Sequence, residues 1–421
     1  MTNQQFSQFR IAIIYDHLTT QFGGAELVLQ TLVELFPQAP IYTSVFQPSA
    51  ASWIDPKKVR TSFLQKLPWL KFKHQLMVIL HPLAFESFDL TQFELIISVT
   101  AGAAKGVLTN PNQLHLCYQL TPPRYLYGQI KRINDYYQSF WLFSLPCLKM
   151  ILQPITNYLR RWDRFAAHRP DKTIAISKLV ANRIKQNYQL TVDGVLYPPF
   201  RSSTLRATGL PLPKDYLICI SRLVNYKRID LAIKASLRLN QILIIVGQGR
   251  EKNRLVKLAG ANSLVRRTGE SLTDVLKHRS SSTSQIIFLS NCSETEKFEL
   301  LGRSHALLMP GLEDFGLTGL EAASVGRPVI IDRQSGIAEL LKDKQTAIHI
   351  TKTTVEAVVE AIQQLPRLKF STTQAQQIAN AHTTQAFKLS FAKMIYQFWQ
   401  QHSTISAVSS NKQTKPVPIQ V

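Results

Sequence analysis

Two glutamates eight positions apart, Glu313 and Glu321, stand in the phrase PGLEDFGLTGLEAASVGRPVI, residues 310–330. The first falls in a glycine-bearing loop just after an apolar, strand-like run. The second falls inside the helix that follows. Gly316 and Gly319 let backbone approach a ligand closely, and the helix they open presents unpaired N–H groups that suit a diphosphate. An acidic loop followed by a solvated helix would also show two glutamates, so their spacing alone leaves both readings open. Well upstream, SRLVNYKRID (residues 221–230) sets Arg222 and Lys227 between a strand and a helix, where both can reach into a cleft. Fixed cations in a dry cleft stabilise a diphosphate that gains negative charge as a bond to it breaks; solvated surface charge is the plain alternative. The four cysteines, Cys117, Cys147, Cys219 and Cys292, are far apart and show no C-x-x-C spacing. Neither a zinc site nor a disulfide framework is therefore expected, and a reducing cytoplasm fits. Cys117 and Cys219 lie in apolar runs and read as small buried hydrophobes.

The elements that must position these residues alternate between strand and helix. Residues 10–16 (RIAIIYD) read as a strand, followed by a loop with Gly23 and Gly24 and by the helix AELVLQTLVELF, closed by Pro37. Further strands are expected at 41–45, 95–99, 114–120, 173–176 and 195–197. After Pro198-Pro199 the texture resets: residues 200–214 read as a linker, and a second, more regular alternation begins. Strands at 216–221, 242–247, 286–290, 306–310 and 328–332 are separated by helices at 229–239, after Gly247, at 294–303 and in LEAASVG. Such spacing requires a parallel sheet with helices on both faces. The expected architecture is α/β, two doubly wound Rossmann-like domains facing across a cleft at the carboxyl ends of their sheets, where ligands of this architecture bind. The domains read as 1–199 and 215–385, with a helix over 386–400 able to pack back on the first domain and a disordered tail over 401–421.

EDFGLTGLEAASVGRPVI resembles the E-x7-E signature of retaining glycosyltransferases of the GT-B fold, family 4 in the usual sequence classification. The resemblance spans roughly residues 10–399 and is densest over 216–350. It implies that Glu321 holds the ribose hydroxyls of a nucleotide, that Glu313 contacts the transferred sugar, and that backbone amides at Phe315, Gly316 and Leu317 meet sugar and diphosphate. Arg222 and Lys227 match the arginine and lysine that grip the diphosphate in similar proteins, and no metal or other cofactor is implied. FGGAE (residues 22–26) matches the family's N-terminal glycine loop, giving Gly23 and Gly24 a place at the donor. Residues 84–107 resemble the family's run into a strand and an Ala-Lys-Gly turn. IVGQGRE (residues 245–251) resembles the glycine turn of the donor domain; Gly247 there is either a donor contact or a plain tight turn. LHLCYQLTPPRYLY (residues 114–127) resembles Y-C-H-T-P-x-R-Y of many relatives, but Leu120 stands where they carry a histidine. His115 and His17 are the nearest other imidazoles along the chain. Arg124 reads as an acceptor or donor contact or as a structural ion pair. TSFLQKLPWL and TPPRYLY look closest to mannosyl- or rhamnosyl-type transferases of surface polysaccharide assembly. The partners so implied are a GDP-, UDP- or dTDP-linked hexose and a glycan or lipid-linked acceptor.

The formal charge of +22 needs a partner or surface of its own. Residues 56–73 carry six Lys/Arg and no acid, interleaved with Phe63, Leu64, Leu67, Trp69, Leu70 and Phe72. A second basic stretch runs through Arg160, Arg161, Arg164 and Arg169. Basic residues alternating with aromatics suit an anionic membrane surface; a solvated surface over ordinary core is the alternative. No signal peptide is read at the N-terminus, and the apolar stretch 139–155 is broken by Pro146, Lys149 and Pro154, so a cytoplasmic protein lying on the inner face of the membrane is expected. A nucleic-acid-binding protein is the rival that charge alone raises, but no RNP-type, helix-turn-helix or zinc-finger pattern occurs. A sugar-nucleotide epimerase, a pyridoxal-phosphate phosphorylase and a donor-binding homologue with little transfer activity share the fold and differ in chemistry.

Overall fold

Short runs of Ile, Leu and Val bounded by polar or glycine turns become parallel strands buried on both faces. The computed structural model describes residues 9–19, 23–67, 78–127, 146–201, 209–280 and 285–412. Within them the chain forms two units, 1–198 with 385–421, and 199–384. Each is built on a parallel seven-stranded sheet.

In chain order the first unit holds β1 (Ile11–Tyr15), α1 (Gly24–Leu35), β2 (Ile41–Thr43), β3 (Val59–Thr61), α2 (His81–Glu86), β4 (Leu95–Thr100), β5 (Leu114–Gln119), α3 (Arg124–Tyr127), α4 (Pro146–Ala166), β6 (Lys172–Ala175), α5 (Lys178–Tyr188) and β7 (Gly194–Val195). Its strand order is β3-β2-β1-β4-β5-β6-β7. Chain direction across the sheet therefore reverses between β1 and β4. Asp16, just past β1, spans that reversal: its carboxylate accepts from Thr100 Oγ1 at 2.7 Å and from the amides of Ala101 and Ala104 at 2.8 and 2.9 Å. A buried ion pair between Lys105 and Asp163 fastens α4 beneath the same turn, and Tyr188 Oη donates to Asp163 at 2.7 Å.

The second unit continues with β8 (Leu217–Ile220), α6 (Ile229–Arg238), β9 (Leu243–Val246), α7 (Lys252–Ala259), β10 (Ser263–Val265), α8 (Leu272–Ser280), β11 (Ile286–Leu289), α9 (Glu294–Arg303), β12 (Ala306–Met309), α10 (Leu317–Ser324), β13 (Val329–Asp332), β14 (Ala347–Ile350), α11 (Val355–Gln364) and α12 (Thr372–Asn380). The order β10-β11-β9-β8-β12-β13-β14 places its reversal between β8 and β12. A core of Leu217, Cys219, Ile233, Ile245, Phe288, Leu308 and Ile330 lies between this sheet and the helices on one face. Cys219 and Cys117 are buried and free, and burial pushes the Cys117 thiol up to about 12.

Several elements differ from the sequence reading. β3, β10 and β14 are short edge strands in which Arg60, Ser263 and His349 interrupt the apolar run. The last helix, α13 (Thr384–Lys412), runs through residues expected to open a disordered tail. No glycine or proline interrupts 384–412, and the first breaker is Pro416. Residues 413–421 lie outside the described residues. Phe387 and Phe391 of α13 pack edge-on against Tyr118 of β5. The stretch expected as linker is partly structural: Phe200 bridges to Thr383, and buried Leu210 accepts from Arg303 Nη1 at 3.1 Å. In the basic segment 56–73, Leu64 is fully buried against Val45 and Ala84, so that side chain serves the core; residues 68–73 lie outside the described residues. Pro154 sits inside α4, and no described helix is long and apolar enough to cross a membrane.

Candidate active site

In an open α/β sheet the crevice lies where chain direction reverses, at the carboxyl ends of the strands. In the second unit the loops there are 221–228 after β8 and 310–316 after β12, and they carry Lys227 and Glu313. Lys227 Nζ donates to both carboxylate oxygens of Glu313. The two side chains are mostly buried, at 14% and 11% exposed. Glycine makes this closeness possible. A Cβ on Gly311 would collide with backbone atoms of Tyr226 and Lys227, and one on Gly247 or Gly249 with the carbonyls of Ser221 or Leu223. Gly247 and Gly249 also have φ of 144° and 159°. Three strand-end loops thus lie backbone to backbone, and Gly247 serves that packing. Arg222 is exposed at the rim, its Nη2 3.4 Å from Tyr226 Oη, while Lys227 Nζ stands 5.3 Å over the Tyr226 ring.

The loop behind Glu313 is held by the segment after β13. Ser335 Oγ accepts from the Glu313 amide at 3.0 Å; the amides of Gly336 and Ile337 donate to the carbonyls of Glu313 and Phe315 at 3.1 and 2.7 Å. Phe315 is buried. Gly316, at φ 106°, then starts α10 in a left-handed conformation that a side chain would resist, and Leu317 is the first helical residue. Thr318 Oγ1 reaches the Ile220 carbonyl at 3.4 Å, which sets the start of α10 beside the end of β8.

Glu321 lies one turn deeper in α10 and makes a different pair. Its Oε1 accepts from Lys297 Nζ of α9 at 2.9 Å, and Lys297 also meets Glu294 at 2.8 Å. Burial raises the Glu321 carboxyl above its ordinary value, and the Lys297 ammonium opposes that rise. Burial works against the Lys297 charge, but Glu321 and Glu294 outweigh it and hold the ammonium above its ordinary value. The structure therefore joins Glu313 with Lys227, sets Arg222 on the neighbouring turn, and gives Glu321 its own cation. Lys297 had no signal in the sequence beyond an ordinary charged helix; its capping box at Ser293 and Glu296 marked where the helix begins and nothing more.

In the first unit Gly23 caps α1 with extended backbone and Gly24 opens the helix. Glu26 is buried there and accepts from Tyr15 Oη at 3.1 Å; Phe22 lies outside the described residues. Arg124 opens α3, partly buried. The Leu120 amide donates to the Thr100 carbonyl at 2.8 Å, which places it at the carboxyl end of β5. His115 cannot stand in for a histidine at that edge. It is wholly buried in β5, its Nε2 is 2.9 Å from Ser98 Oγ, and burial, with Arg169 nearby, lowers its pKa to about 3. His17 follows β1, with Nδ1 3.1 Å from Thr19 Oγ1; burial lowers its pKa against the pull of Asp16 and Glu26.

Residues 214–367 match the family model described as glycosyl transferases group 1. The matched stretch holds Arg222, Lys227, Gly247, Glu313 and Glu321, and with them the whole of the β8–β12 crevice. Among curated proteins, the D-inositol 3-phosphate glycosyltransferase of Mycobacterium leprae is 26% identical over 228 residues, 51% of this chain and 50% of that protein. The protein of the same description from Mycolicibacterium paratuberculosis is 25% identical over 223 residues, 51% of this chain and 48% of that protein. The chain thus spans about half the length of the curated relatives it matches. Among solved structures, sucrose-phosphate synthase from Thermosynechococcus elongatus superposes with a TM-score of 0.63 at 15% identity, covering 94% of this chain and 100% of that one. HepE of Anabaena, solved in complex with UDP, gives 0.58 at 15% identity over 92% and 100%. The fold is of the GT-B type, with one Rossmann-like sheet in each unit.

Proposed function

We propose that the protein transfers a hexosyl group from a nucleotide-diphosphate sugar to a glycan or lipid-linked acceptor, with retention and without a bound metal. The observation that carries this reading is the Lys227–Glu313 pair at the sheet reversal of the stretch that matches the group 1 glycosyl transferases, beside the opening turn of α10. Amides of that turn and the cations Lys227 and Arg222 are suited to a diphosphate, Glu313 to sugar hydroxyls, and Glu321, paired with Lys297, to the ribose diol. In the reaction the bond from the sugar's anomeric carbon to the phosphate oxygen breaks, and a bond from that carbon to the acceptor oxygen forms. The acceptor proton passes to the departing phosphate on the same face, a route that needs no imidazole and accords with Leu120. Relatives that act on an inositol phosphate or were solved with UDP-glucose support a sugar nucleotide as donor. The test is release of free nucleotide by the purified protein across UDP-, GDP- and dTDP-sugars, with and without a lipid acceptor. Acceptor-dependent turnover with one donor is expected. Turnover that survives intact in Lys227→Ala and Glu313→Ala would remove the site assignment.

A further inference from the structure

Helix α4 is basic and aromatic on the side that the core does not use. Its inner side is fixed. Leu159 packs with Val78 and Leu126, Trp162 Nε1 donates to Glu86 at 2.7 Å, and Asp163 is sealed in its ion pair with Lys105. A Cβ on Gly106 would strike the Trp162 ring, so helix and turn meet without slack. On the outer side, Phe165 is 74% exposed and Tyr158 51%, one above the other at i and i+7, with exposed Arg161 and Arg164 between them. Asp163 is the one acid in residues 146–169, and burial removes it from the surface. The outer side is therefore cationic without a compensating charge of its own. The segment 78–86 packs on the inner side of α4 through Val78 and Glu86, and its own Leu83 and Ile79 are exposed.

We propose that the outer face of α4, with Tyr158, Arg161, Arg164 and Phe165, is the surface by which the protein docks on an anionic lipid bilayer. Aromatic and cationic side chains alternating along one helix face suit the headgroup boundary, rings toward hydrocarbon and guanidinium groups toward lipid phosphates. Phe165, 74% exposed, sets a wholly apolar ring among these cations, which hydrocarbon accepts; this favours a bilayer over a nucleic acid. The buried Lys105–Asp163 pair would then tie the docked helix to the turn beneath Asp16, so attachment is rigid at the first sheet's carboxyl edge.

The experiment is flotation of the full chain with vesicles of phosphatidylcholine containing phosphatidylglycerol, at near-physiological salt, against pure phosphatidylcholine vesicles. Binding needs no sugar nucleotide, so its outcome is independent of the transferase reading. The anionic vesicles should carry the wild type and the neutral ones should not. Arg161→Ala with Arg164→Ala should weaken binding about 30-fold, and Phe165→Ser roughly tenfold, while Lys257→Glu on α7 leaves it unchanged. Thermal unfolding checks that each variant is folded, and a blue shift of Phe165→Trp emission on anionic vesicles reads insertion without removing the ring. Wild type that stays unbound, or variants that bind as it does, overturns the proposal. Preference for single-stranded RNA over vesicles, lost in the same variants, overturns it in favour of nucleic acid.

Discussion

Lys227 and Glu313 are each mostly buried and each meet the other's charge, so neither can be removed without exposing its partner to an unfavourable environment. If both touch the donor as proposed, Lys227→Ala and Glu313→Ala should each lose about 3 kcal/mol of transition-state stabilisation, a hundredfold or more in kcat/KM. Lys297 acts through Glu321. In Lys297→Met the carboxyl, already raised by burial, loses the cation that opposes the rise and protonates at higher pH. The acid limb of the pH–activity profile should move upward and KM for the sugar nucleotide should rise, with Lys297→Arg restoring both in part. An unmoved acid limb would show that Glu321 is not the group being read. His115 bears on stability alone. Its folded pKa of about 3 lies below the ordinary 6.5, so the stability it confers is complete above 6.5 and is lost as pH falls toward 3. His115→Leu should flatten a plot of unfolding free energy against pH in that window by about 1.4 kcal/mol per pH unit.

At the scale of elements, the site depends on loops that approach as bare backbone. Gly311→Ala would push the turn 225–227 outward and carry Lys227 with it. Donor-induced thermal stabilisation should then shrink or vanish while circular dichroism stays that of the wild type. A Gly311→Ala protein that keeps full donor stabilisation would mean the turn yields without moving Lys227. Most strands and the helices beside the site were legible because long apolar runs and glycine turns repeat through the second half of the chain. β3, β10 and β14 were not, since Arg60, Ser263 and His349 interrupt the apolar runs that marked the other strands. α13 outran its expected end because polar residues without a breaker remain helical once the preceding turns are packed. Leu64 shows the opposite error: in a basic, aromatic-looking stretch it reads as a membrane anchor, yet it is core.

For the molecule as a whole, two parallel sheets with reversals at β1–β4 and β8–β12 give each unit one carboxyl-edge crevice. A sugar nucleotide held in the second should protect amides of residues 221–228, 247–250 and 310–319 from hydrogen exchange and, at 100 times its Kd, add about 2.7 kcal/mol to stability. Protection confined to the first unit would count against the assignment. The sequence by itself determined the doubly wound α/β class, the place of Glu313 and Glu321 in a loop and a helix, and the place of Arg222 and Lys227 after a strand, because each follows from local periodicity and glycine spacing. Only the tertiary structure decided the partners. Lys227 meets Glu313 because β8 and β12 are neighbours in the sheet, and Glu321 takes Lys297 because α9 and α10 lie side by side. Such pairings are set by strand order and helix packing between distant stretches, which no local pattern of residues encodes.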